Sequence, residues 1–145
     1  MLELSFLCLI AAGFGVVLST ARRLRRCEAM YGTDDSFAGR RYLTKIRLAS
    51  VEAHVSCLTG ADADALYVLR DRRVPNNWWR RSNYSTSLHH NLRIPWSDLT
   101  YRSDRILFTR RMWFEVNSAK INFFMNFEMG QKLITDAGKA TLPVA

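Results

Sequence analysis

The side chains best suited to hold a ligand crowd into one stretch, RDRRVPNNWWRR, which begins at position 70 and contains Arg72, Arg73, Trp78, Trp79, Arg80 and Arg81. Indole rings rest comfortably at head-group depth in a bilayer, and guanidinium groups pair with lipid phosphates. The same pairing could stack bases and track a single-stranded nucleic acid backbone. A plainer reading also exists, because neighbouring residues of a strand point to opposite faces and one of the two tryptophans then belongs to the core. Among partners, an anionic lipid surface or a protein is favoured, and nucleic acid is least favoured.

A hydrolytic centre would need a nucleophile, a base and an orienting acid. Ser97, His89 or His90, and Asp98 or Asp104 supply those types within a short span, but no GxSxG nucleophile elbow is present. Catalysis is therefore not expected. His54 stands alone in an alternating run and reads as a structural residue of a strand. Asp62 and Asp64 lack the further oxygen ligands and the glycine of a calcium loop, so they read as turn residues. Cys8, Cys27 and Cys57 show no CxxC or Cys/His spacing, which points away from a zinc site and from a disulfide framework. Neither GxxxxGK[ST] nor GxGxxG occurs, so no phosphate cradle is available. No cofactor and no metal are expected.

Some element must place these groups, and the clearest lies at the start. Residues 2–21, LELSFLCLIAAGFGVVLSTA, carry a single charge, Glu3, at the edge. Twenty residues at about 1.5 Å each match the roughly 30 Å hydrocarbon core of a bilayer. Ten of them are Leu, Ile, Val or Phe, and together they favour insertion by roughly 3 to 6 kcal/mol. Arg22, Arg23, Arg25 and Arg26 follow at once, and each would cost about 2.5 to 3.5 kcal/mol at mid-bilayer, so the span should stop there. A secretory signal carries its positive charges before the apolar run, whereas this chain carries them after it. The positive-inside rule then leaves the C-terminal part in the cytoplasm, on the inner (plasma) membrane of a bacterial-type cell. Gly13 and Gly15, with Ala11 and Ala12, offer a small-residue face to a second helix, as a subunit of a membrane complex would.

Within 145 residues there is room for one further domain. The expected organisation is an anchor with its basic stop over 1–26, a linker over 27–39, a β-rich domain over 40–140 and a tail over 141–145. Runs of β-branched and aromatic residues at 42–50, 54–58, 66–70, 92–95, 105–109, 112–116 and 120–127 read as strands. Turn residues at 60–65 and 117–118 separate them, and 128–137 has the spacing of one helix face, with Gly138 as its stop. The formal net charge is +8, and Arg22, Arg23, Arg25 and Arg26 are balanced by Glu3, Glu28, Asp34 and Asp35. The excess therefore belongs to residues 39–145, where it favours an anionic partner or simply solubility near a negative membrane.

The order Ala65-Leu66-Tyr67-Val68, then Ile94-Pro95-Trp96-Ser97-Asp98, then Gly130-Gln131-Lys132-Leu133 resembles uncharacterised bacterial single-pass membrane proteins that carry an IPWSD-type motif. Here Ala65 stands where those proteins have glycine, and His89-His90-Asn91 replaces a His-Pro-Pro lead-in. Such proteins are similar to bacterial pleckstrin-homology-like domains. The resemblance implies a small bent antiparallel sheet or barrel capped by a C-terminal helix, and it implies no known reaction. In the motif itself, Pro95 suits a strand end, Trp96 can cover a mouth of the sheet, and Ser97 or Asp98 can bond local amides to turn the chain. Taken together, the sequence suggests a membrane-tethered, non-enzymatic interaction module.

Overall fold

A computed structural model of the protein describes residues 19, 22–34, 37–48, 54–70, 88 and 90–140. The expected span, Ser19 apart, lies outside them, and so do Arg72, Arg73, Trp78, Trp79, Arg80 and Arg81. No helix among the described residues is long and apolar enough to cross a membrane.

Helix α1 covers residues 22–31. Leu24, Cys27, Glu28 and Tyr31 recur at i, i+3, i+4 and i+7, so they line one face. Leu24 and Cys27 are buried in the main core, while Arg22, Arg23, Arg25 and Arg26 stay in solvent on the other faces. Glu28 is buried as well and accepts from Arg25. Both core residues precede Arg40, so the hydrophobic core draws on chain ahead of the strand-rich region.

Eight strands follow: β1 (Gly32–Thr33), β2 (Tyr42–Leu48), β3 (His54–Ala61), β4 (Ala65–Arg70), β5 (Asn91–Pro95), β6 (Leu99–Ile106), β7 (Thr109–Val116) and β8 (Ile121–Asn126). They form one antiparallel sheet in the order β1-β5-β4-β3-β2-β8-β7-β6, and helix α2 (Phe127–Asp136) comes after the last strand. The expected mainly-β class with a C-terminal helix is the class found.

Alternation makes these strands. In β2, Thr44, Ile46 and Leu48 are buried, whereas Leu43, Lys45 and Arg47 face out. In β7, Met112, Phe114 and Val116 point in, opposite Met125, Phe123 and Ile121 of β8. Phe114 and Phe123 stack with centroids 5.3 Å apart. β4 departs from the pattern because Ala65, Leu66, Tyr67, Val68 and Leu69 are all buried. Its outer face is covered by the chain ahead of β2, where Phe37 stacks on Tyr67 at 4.4 Å.

The sheet curls. Side chains of β5 (Leu92, Ile94) and of β8 (Ile121, Phe123) line the same small cavity, although β4, β3 and β2 lie between those strands. A flat sheet would hold β5 and β8 about 19 Å apart at 4.8 Å per strand. Leu24 and Cys27 of α1 complete the lining, so α1 lies against the inner face near the β7–β8 turn, where Arg23 donates to the Lys120 carbonyl at 3.3 Å.

α2 packs on the inner face against β7, β3 and β8. Asn126 caps its start by accepting from the Glu128 amide at 2.9 Å, and Gly138 follows its end at φ 65°, a left-handed conformation that glycine adopts without strain. A Cβ on Gly130 would stand 2.5 Å from both Cβ and Cγ of Met112. Gly130→Ala gains about 1 kcal/mol in helix propensity but overpacks a contact near the β7 backbone, a class of change that costs about 1 to 3 kcal/mol. We expect a net loss of stability, read as a lower urea midpoint than wild type.

One expected strand is not a strand. The run 105–109 holds the two-residue turn between β6 and β7. Ile106, Leu107 and Phe108 have strand-forming side chains, yet Leu107 adopts φ 53° and reverses the chain.

Candidate functional site

The IPWSD segment forms a clasp. Ile94 is buried in the core, and Pro95 caps a 3-10 turn over Trp96–Asp98. Trp96 is half-buried, donates from Nε1 to the Asp62 carbonyl at 2.8 Å, and meets Tyr101 edge-on at 6.2 Å. Ser97 is exposed. Asp98 collects donors from two other elements: the Tyr31 hydroxyl of α1, and both the amide (3.1 Å) and the hydroxyl (2.7 Å) of Ser118 in the β7–β8 turn. Burial pushes the Asp98 carboxyl up, but the bonds from Tyr31 and Ser118 outweigh it and hold it below the ordinary carboxylate range. This carboxylate joins α1, the β5–β6 turn and the β7–β8 turn, which is a structural duty.

A related anchor serves the β3–β4 turn. Asp62 accepts from the amides of Asp64 (2.9 Å) and Ala65 (2.8 Å) and from the Tyr67 hydroxyl (2.9 Å). Burial raises its proton affinity, and these bonds together with nearby Arg93 more than reverse that. Cys27 is a different case: burial first, then Glu28 and Asp98, push its thiol up to about 12, so it stays protonated and a poor nucleophile. The cavity beneath α1 measures about 30 Å³ and is lined by apolar side chains. A space of that size has room for about two water molecules.

Of the groups considered for hydrolysis, His89 lies outside the described residues, and Asp98 is committed as above. Asp104 is bound by a fork from Arg111, with Nε to Oδ1 at 3.1 Å and Nη2 to Oδ2 at 2.9 Å, and also accepts from Trp113 Nε1. Among the described residues no hydrogen bond joins Ser97 and His90, both exposed, to Asp98 or Asp104 as a triad would require.

What it does join is a row on the outer face of β6, β7, β8 and β2. Arg102 pairs across strands with Trp113, Trp113 with Phe124, and Phe124 with Arg47. Three strand spacings make the row about 14 Å long. Trp113 and Phe124 are half-buried with centroids 4.9 Å apart; Arg102 and Arg47 are exposed. The Arg102 guanidinium lies 5.8 Å from the Trp113 ring, and that of Arg111 lies 5.2 Å from Trp113 and 4.5 Å from Phe124. Cation–π contact of this kind holds the rings and charges in one plane-like array. Lys45 is exposed beside Arg47 on the same face of β2. Against these cations the face carries Asp104, already bridged, and Glu115 opposite Asn122. Leu43, 67% exposed, sits on the same side.

Chemically, this array can bind phosphate or carboxylate groups on an extended anionic surface, with indole and phenyl rings available to less polar atoms between them. No protein-family model matches the chain, and neither does any curated protein or solved structure. Sequence reading missed the row because Arg47 lies more than fifty residues ahead of the other three members, and the β2–β8 pairing that completes it is not between consecutive strands. The available signal was that each member occupies an outward position of an alternating run.

Proposed function

We propose that the chain is a membrane-tethered, non-enzymatic interaction module, pleckstrin-homology-like in plan, whose arginine–aromatic face settles on anionic lipid head groups of the cytoplasmic leaflet. The Arg102–Trp113–Phe124–Arg47 row carries this reading. Supporting it are the charge excess of residues 39–145 and the apolar run 2–21 with its arginine stop, which would keep the face within reach of head groups. Tethering matters because a held ligand surface replaces a bimolecular encounter with an intramolecular one. Arg72, Arg73, Trp78, Trp79, Arg80 and Arg81 would add to the same interaction.

A protein partner is the second reading, including membership of a larger membrane complex. Leu43, exposed on the same face as Lys45 and Arg47, favours it, since lipid phosphates gain nothing from an isobutyl group at head-group height.

The test uses residues 22–145, which keep α1 and hence the core. The fragment is expected to sediment with phosphatidylglycerol-containing vesicles in a salt-sensitive way and to ignore phosphatidylcholine vesicles. R47E/R102E should weaken binding by roughly thirtyfold or more, because each basic residue near an anionic surface contributes about 1 kcal/mol. Equal recovery with both vesicle types, or full binding by the double variant, would remove the reading.

A further inference from the structure

The β6–β7 hairpin ends in three exposed apolar residues: Ile106 is 49% exposed, and Leu107 (84%) and Phe108 (94%) are the two most exposed large hydrophobic residues among those described. Two arginines flank them, Arg105, which donates from Nε to the Leu107 carbonyl at 3.2 Å, and Arg110. A two-residue hairpin turn normally takes Asn, Asp or Gly where φ is positive. This one places Leu107 at φ 53° and Phe108 beside it. The fold gains nothing from that choice, since neither side chain is buried and the backbone at Leu107 is strained. A large apolar tip kept at a strained turn points to a surface that receives it.

We propose that the tip Ile106–Leu107–Phe108 is a membrane wedge that dips into the head-group and acyl boundary of an anionic leaflet. This rests on the tethered-module reading and names the element that orients the domain. Three placements favour lipid as the occupant. Arg105, exposed at the base of the turn, stands where it would meet a phosphate once the tip is submerged, so charge is complementary as well as polarity. The tip is a narrow knob, which a fluid interface accepts without a shaped pocket. At the other end of β7, the Lys120 carbonyl accepts from Arg23, in the second residue after the proposed span. β7 has eight residues, about 26 Å at 3.3 Å each. Anchor at one end and wedge at the other lay β7 along the membrane plane, with the Arg102–Trp113–Phe124–Arg47 row between the two attachments.

The experiment uses the full chain in nanodiscs of phosphatidylcholine alone or mixed with phosphatidylglycerol. Phe108→Cys, in a Cys8→Ser background, carries an environment-sensitive NBD fluorophore. Cys27 and Cys57 are buried and escape labelling. In anionic discs the emission should shift to the blue and be quenched by doxyl-lipids several-fold more than in neutral discs. Water-like, unquenched emission in both overturns the wedge, and so does a blue shift without lipid quenching, which would mean that protein covers the tip. A second comparison places the fluorophore at Thr109→Cys with and without L107G/F108N, a pair that suits a turn whose positive φ falls at its first residue. Quenching should fall several-fold while thermal unfolding is unchanged, and undiminished quenching overturns the proposal. Failure of the wedge is separable from failure of the module: vesicle binding lost in R47E/R102E with a wet tip removes only the wedge, and a submerged tip with no such loss removes the charged face.

Discussion

A fragment that begins at Arg40 is expected to remain largely unfolded under conditions where residues 22–145 fold cooperatively. The reason lies in α1, whose Leu24 and Cys27 are 4% and 2% exposed in the main core. Removing a single buried Leu side chain costs about 2 to 5 kcal/mol. Truncation at Arg40 also uncovers Ile46, Leu48, Val68, Leu92 and Ile94, takes the β1 pairing from the edge of β5 and removes the Phe37 cover from Tyr67. The combined loss is roughly 5 kcal/mol or more, the same size as the whole stability of many domains. Far-UV circular dichroism with urea titration distinguishes the two fragments. A steep, two-state transition in the shorter one at a similar midpoint would show that α1 is an ornament on a self-sufficient sheet.

The second large effect belongs to Asp98. Asp98→Ala removes the acceptor for Tyr31 and for two groups of Ser118, and hydrogen bonds to a charged partner contribute about 1.5 to 3 kcal/mol. Because the carboxylate is only half-buried, solvent recovers part of this, and we expect a loss of about 2 kcal/mol near neutral pH. The pH dependence has a definite sign. The folded carboxyl has a lower proton affinity than the unfolded one, so its contribution is present above the ordinary aspartate value, about 3.9, and disappears as pH falls through the folded value. The gap between wild type and D98A should therefore close on acidification. Asp62 is shifted in the same direction, so some acid sensitivity persists in the variant. Urea midpoints measured from pH 7 down to below the folded value read this directly, and a gap that stays constant would mean that Asp98 acts by packing alone.

Several elements were legible because their side chains obey one period. The alternation of β2, β7 and β8 gave those strands, and Met129, Leu133, Ile134 and Ala137 gave α2 with Gly138 beyond it. α1 was obscured by its charges: four arginines read as the end of a membrane span, and they surround Leu24, which shares one helix face with Cys27 and Tyr31 beyond them. The β6–β7 turn was hidden for the opposite reason, since Leu107 and Phe108 are strand formers and only the backbone shows the reversal. β1 has two residues, too few for any period to register. Within the IPWSD motif the turn itself was readable, but Tyr31 and Ser118, the partners of Asp98, are 67 and 20 residues away and depend on tertiary placement. The arginine–aromatic row had the same difficulty in a stronger form, because it exists only once β2 lies beside β8.

The most direct measurement is arginine footprinting of the full chain in nanodiscs, with phenylglyoxal modification mapped by mass spectrometry. If the outer face of β6, β7, β8 and β2 rests on anionic head groups, Arg47 and Arg102 should be protected in phosphatidylglycerol-containing discs and reactive in phosphatidylcholine discs. Arg93, exposed on β5 in the other part of the sheet, should react alike in both. Equal modification of Arg47, Arg102 and Arg93 in the two lipid compositions would contradict the membrane-facing role of this surface.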